Sequence, residues 1–230
     1  MRDMLAFLLT LAVGASAPAF AQEWQEGVHY ERLPVSVATA DAARVEVVEV
    51  FSYACIHCKT FDPALEAWRA NQPEDVDFRR LPAIFSPQWE TLAKAFYTSQ
   101  ALDLGSPVHE AIFRAVHEEG RDLREPGAIA ALFQEVAGVS PQQFAQVYNS
   151  FGVRSRIEQA KAHARAYRVS GVPALVVDGT YRVDGRMAGS NAAMLEVVNH
   201  LVAKLRTARG ISAPEPSPQE DLDAAAAGAS

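Results

Sequence analysis

The sequence predicts an α/β fold in which a mixed central sheet is flanked by helices and interrupted by an all-helical segment. Three observations carry this. Short β-branched runs alternate with helical periodicity at both ends of the chain, residues 88–150 are helical in pattern throughout, and Asp178-Gly179 sits between two apolar runs as a hairpin signal.

Taken in order, Val28–Leu33 alternates loosely before Pro34 and reads as an edge strand. Asp41–Arg44 is a turn. Val45–Phe51 is mostly apolar and rich in valine, as a central strand requires. A helix starts near Cys55 and continues through Phe61, Leu65 and Trp68, with a kink expected at Pro63. Val76–Leu81 is a second strand, stopped by Pro82. Four helices follow, marked by Leu92, Phe96 and Leu102, by Val108, Ile112, Phe113 and Val116, by Ile129, Leu132, Phe133 and Val136, and by Phe144, Val147 and Tyr148 after a Ser140-Pro141 start. A longer helix from Val153 stops near Gly171. Strands at Pro173–Val177 and Thr180–Val183 flank the Asp178-Gly179 turn. A last helix over Asn191–Leu205 turns Leu195, Val198, Leu201 and Val202 inward.

The 230 residues, about half of them hydrophobic, suffice for one packed core with an insertion. The net charge of −7 comes with no basic stripe, so nucleic acid is not an expected partner. Met1–Met4, the apolar stretch Leu5–Val13 and Ala19-Phe20-Ala21 compose a secretory signal, with cleavage expected after Ala21. The apolar stretch is too short to span a bilayer, and no cysteine lies near the cleavage point to take a lipid. Export implies a compartment where disulfides persist. Residues 211–230, rich in proline, acids and alanine, read as a disordered tail.

The chemistry is concentrated in Cys55-Ile56-His57-Cys58, which holds both cysteines of the chain. So short a loop gives a disulfide little structural value, which favours reactivity over stapling. A strand that delivers C-x-x-C to a helix start places Cys55 where free backbone N–H groups stabilise a thiolate. Cys58, three residues on, lies on the same face nearer the core and closes the bridge. His57 adds positive charge beside Cys55 when protonated. Glu49, a carboxylate within an apolar strand, would have a raised pKa if buried and would accept or relay a proton for Cys58; the alternative is an outward position at a sheet edge. No metal is expected. A zinc site wants four ligands and there is no second cysteine pair, and Lys59 stands where haem attachment requires histidine. His29, His109, His117, His163 and His200 are scattered and read as ordinary surface or core residues, and Tyr53 and Lys59 are given no role.

With Glu49–Cys55, the histidine before Cys58, the helical block and Gly171-Val172-Pro173-Ala174 together, the chain resembles the bacterial periplasmic dithiol oxidases of the DsbA family from Gly27 to Leu205. The departures are Ile56, where the best-known members have proline, and the acidic tail. The resemblance implies a thioredoxin-like fold over residues 22–86 and 151–210, an inserted helical domain over 87–150, and a redox-active Cys55–Cys58 pair. It implies a histidine that stabilises the reduced form, a supporting acid at Glu49, a cis proline at Pro173, and backbone groups of Val172 that receive an extended substrate segment. Sequence alone favours trans at Val172-Pro173. The implied activity needs no cofactor. The implied partners are unfolded exported proteins and a quinone-linked membrane thiol oxidase of the DsbB type. Rival readings are a disulfide isomerase or reductase, against which the 33 residues from Gln22 to Cys55 leave no room for a dimerisation domain, and a non-catalytic peptide-binding chaperone.

Overall fold

The computed structural model describes residues 24–211, so the expected export signal and the expected disordered tail, past Ile211, lie outside the described residues. The elements are β1 (Glu31–Arg32), β2 (Val45–Phe51), α1 (Ile56–Ala70), β3 (Val76–Pro82), α2 (Pro87–Ala101), α3 (Gly105–His117), α4 (Pro126–Ala137), α5 (Pro141–Tyr148), α6 (Phe151–Ala166), β4 (Ala174–Val177), β5 (Tyr181–Asp184), α7 (Gly185–Ala188) and α8 (Asn191–Arg209). The strands form one sheet in the order β1-β5-β4-β2-β3. Only β2 and β3 run parallel, joined by the α1 crossover; the other pairs are antiparallel.

β2 is buried along its whole length because both faces of the sheet are covered. Val45 and Val47 pack with Leu65 of α1 and Val198 and Leu201 of α8. Val48 and Val50 face the other way, toward Phe96 of α2, Ile112 of α3 and Ile157 of α6. Phe133 of α4 and Phe144 of α5 meet edge to face at 4.9 Å and tie the helical block together. Each such fully buried side chain contributes about 1.5–3 kcal/mol of transfer free energy. Helix starts are set locally: the hydroxyls of Ser86, Ser140, Ser150 and Ser190 accept from the backbone N–H three residues on in α2, α5, α6 and α8.

The mixed sheet with its helical insertion is the predicted fold class, and most elements fall where the pattern puts them. The exceptions have local causes. The first strand shrinks from Val28–Leu33 to two residues, since residues 25–30 form a turn in which His29 and Val28 bond back to the Gln25 carbonyl. The last helix runs on to Arg209, four residues past Leu205, where Gly210 at φ 68° ends it. Its buried stripe is Met194, Val197, Val198, Leu201 and Val202, and Leu195 is only partly buried beside it. The short α7, capped by Asp184, has no periodic signature at four residues. Both Asp178 and Gly179 have positive φ, as a hairpin turn of this hand requires. A Cβ on Gly179 would stand 2.0 Å from the Val37 carbonyl oxygen.

Candidate active site

β2 ends at Phe51, and the chain turns at once into α1. The Ala54 N–H donates to the Ser52 hydroxyl (3.2 Å) and the Cys55 N–H to the Ser52 carbonyl (3.0 Å). Cys55 is then the N-cap residue of α1, extended at φ −97° and ψ 114°, and its carbonyl accepts the first helical bond, from Lys59 (3.1 Å). The register of β4 against β2 pairs Ala174 with Val50, which carries the preceding Val172–Pro173 to the same end of the sheet. That peptide bond is cis. The Cys55 thiol donates to the Val172 carbonyl at 3.4 Å, a contact only the protonated form makes.

The two sulfurs, both free thiols here, have opposite surroundings. Cys55 is partly exposed and its pKa is lowered to about 6. The largest cause is the neighbouring Cys58 thiol, which outweighs burial; the backbone N–H groups of Cys58 and His57 and the charge of His57 add to it. The sulfur makes no capping hydrogen bond of normal geometry, so the helix end acts on it as an electrostatic field rather than through a directed bond. Cys58 is fully buried. Burial drives its pKa far up, reinforced by the bond to Cys55 and by the charges of Cys55 and Glu49. His57 points into solvent on the first turn.

Glu49 does not sit at a sheet edge. It is 1% exposed on β2, opposite Arg80 of β3 in the strand register. Burial lifts its pKa to about 7 against the pull of Arg80, whose Nε donates to Glu49 at 2.8 Å. Arg80 also reaches Asp62 (2.8 Å) and Glu66 (2.5 Å) on α1, so one guanidinium serves three carboxylates. Sequence reasoning missed this arginine, although the two-strand register makes it the in-line partner of Glu49. It also gave no role to two histidines of α3. His109 bridges Asp62 (3.1 Å) and the Tyr53 hydroxyl (2.8 Å), while His117 Nε2 donates to the Tyr53 carbonyl (2.8 Å). Lys59 pairs with Glu118 just past the end of α3 at 2.6 Å. Their i, i+8 spacing puts both histidines on one face of α3, a signal that needed the turn at Tyr53 to be interpretable.

A cleft of about 690 Å³ opens beside β3. Tyr53, Arg80 and His109 reach it, whereas neither cysteine lines it. Among the described residues no three His, Cys, Asp or Glu side chains converge as a metal site would.

Residues 46–196 match the family model of the DSBA-like thioredoxin domain. The thiol:disulfide interchange protein DsbA of Azotobacter vinelandii is 39% identical over 207 residues, covering 90% of this chain and 96% of that protein. Its counterpart in Pseudomonas aeruginosa is 36% identical over 209 residues, covering 90% and 99%. The crystal structure of Pseudomonas aeruginosa DsbA superposes with a TM-score of 0.78 over 81% of this chain and 97% of that one, at 36% identity. Half-buried and sealed thiols on one helix turn, a carbonyl beside the outer sulfur and this likeness over nine-tenths of the sequence lead to one conclusion: the chain belongs to the DsbA-like thioredoxin family and is a thiol–disulfide oxidoreductase.

Proposed function

We propose that the protein works as a dithiol oxidase that donates a Cys55–Cys58 disulfide to newly exported proteins. The observation that carries this reading is the split between the thiols, one held as a thiolate at neutral pH and the other held protonated. A substrate thiolate attacks Cys55 Sγ, the only reachable sulfur. The Cys55–Cys58 bond breaks, and Cys58 leaves with the electron pair and takes up a proton, for which Glu49 is the nearby donor with a midpoint close to neutrality. A second substrate thiolate attacks the substrate sulfur of the mixed disulfide and expels Cys55 as a stabilised thiolate. The substrate has lost two electrons, and the protein holds them as one thiolate and one thiol. Reoxidation reverses the proton step: Cys58 returns its proton to Glu49, and a quinone-linked membrane thiol oxidase of the DsbB type accepts the two electrons.

His57 supplies a smaller share of the thiolate stabilisation, and the Val172 carbonyl beside Cys55 offers an edge to an extended substrate backbone, with Pro173 holding that loop. We assign the export signal to residues 1–21, with cleavage after Ala21 and a periplasmic site of action, and the inserted domain to residues 87–150. The equilibrium of the Cys55–Cys58 bond against glutathione tests the reading. An oxidising value, well above that of thioredoxin, is expected, and a thioredoxin-like value moves the protein to the reductants. A Cys55→Ser variant that keeps full activity toward unfolded clients would instead make it a chaperone.

A further inference from the structure

His109 belongs to the helical block, 56 positions from Tyr53, yet it joins the turn before Cys55 to the Asp62 carboxylate of α1. Burial, with Arg80 nearby, holds its ring below the ordinary histidine pKa despite Asp62, so the imidazole is neutral at pH 7. Asp62 stays ionised: burial opposes its charge, but the bond from His109 and the charge of Arg80 prevail. An ionised carboxylate only accepts, which puts the ring proton on Nε2 and leaves Nδ1 to accept from the Tyr53 hydroxyl. Each polar atom of the trio then has one role.

The decisive detail is that His109 Nε2 and Arg80 Nη2 donate to the same oxygen, Oδ1 of Asp62. What His109 gives that oxygen, Arg80 need not. The charged and titratable groups around this point are Glu49 on β2, Arg80 on β3, Cys58, Asp62, Glu66 and Arg69 on α1, and His109 on α3, with Arg80 the cation bonded to Glu49. We propose that His109 is a positioning residue for thiol exchange: it satisfies part of Asp62 so that Arg80 keeps its bond to Glu49, and it fixes Tyr53 two residues before the exposed Cys55. The inserted helices thereby set the proton affinity of Glu49. This rests on the reading of Glu49 as the proton carrier for Cys58.

The test compares two polar variants by carbon-13 NMR titration of the Glu49 carboxyl in the reduced protein. His109→Gln keeps a donor at the Nε2 place, and His109→Asn keeps only a partner for the Tyr53 hydroxyl. His109→Asn is expected to raise the Glu49 midpoint by about half a pH unit or more, while His109→Gln stays near the parent value. Equal shifts in both, or none in His109→Asn, overturn the proposal. Nitrogen-15 spectra of the histidines in the unaltered protein decide the matter even if neither variant folds. A neutral Nε2–H tautomer whose signals follow the Glu49 titration is expected, and an imidazolium at pH 7 or an Nδ1–H tautomer refutes it. Glu49→Gln separates the two readings: if it resolves mixed disulfides at the parental rate, the proton-carrier role fails, whereas the NMR coupling between His109 and Glu49 is read independently.

Discussion

Replacing Cys58 by alanine removes the largest single stabiliser of the Cys55 thiolate. The drop from an ordinary 9.0 to about 6 corresponds to about 4 kcal/mol at most, an upper figure because water screens a sulfur that is partly exposed. A hydrogen bond to a charged group contributes about 1.5–3 kcal/mol, or about one to two pH units. Cys58→Ala should therefore move the Cys55 midpoint from about 6 to about 7–8, whereas Cys58→Ser, which keeps a donor, should hold it close to 6. The redox sign follows from which state binds the proton. Below pH 6 the thiol is protonated and the reduced form gains nothing. At pH 7 a midpoint of about 6 favours the reduced form by about 1.4 kcal/mol, or about 30 mV, and the gain grows until an ordinary thiol would also ionise. Thiolate ultraviolet absorbance against pH, with alkylation rates as a second readout, measures the midpoint. An alanine variant still titrating at about 6 would show that the helix end alone lowers this pKa, and would refute the central place given to Cys58.

Glu49→Gln should stabilise the reduced protein at high pH. The folded state holds the Glu49 proton more tightly than the unfolded chain, about 7 against 4.5, so wild-type stability falls as pH rises through that window, by about 3 kcal/mol at most. Urea unfolding should show the variant ahead at pH 8 and level with the parent below pH 5; a constant gap contradicts the assignment. His57→Ser should raise the Cys55 midpoint by less than Cys58→Ala does, since the His57 charge lowers it less than the Cys58 thiol and the backbone N–H groups do, and the absorbance titration ranks the two. Gly179→Ala should cost about 2–4 kcal/mol, because it adds positive-φ strain to a Cβ placed against the Val37 carbonyl, and a thermal unfolding midpoint within a degree of the parent would exclude that clash.

Periodicity made most of the fold legible. The apolar run Val45–Phe51, the Asp178-Gly179 turn and the stripes of α2 to α6 report burial, and burial is what composition along the chain encodes. The thiols were legible for another reason, since two cysteines three apart admit few readings. Arg80 and His109 were not, because a buried ion network has no local period. Glu49 meets Arg80 only through the parallel register of β2 and β3, and His109 meets Tyr53 only once α3 has packed against the turn. Leu195 was misjudged by one position around α8, where Met194 takes the inward place.

Accessibility gives the reaction an order. In the proposed exchange a foreign sulfur touches the partly exposed Cys55 and not the buried Cys58, so the covalent adduct forms through the outer position. The sealed sulfur is thus free to act back on that adduct from within. A client whose second cysteine arrives late is met by an internal competitor that discharges it unoxidised and restores the original bridge. The depth of one side chain thereby fixes how long a slow client is held.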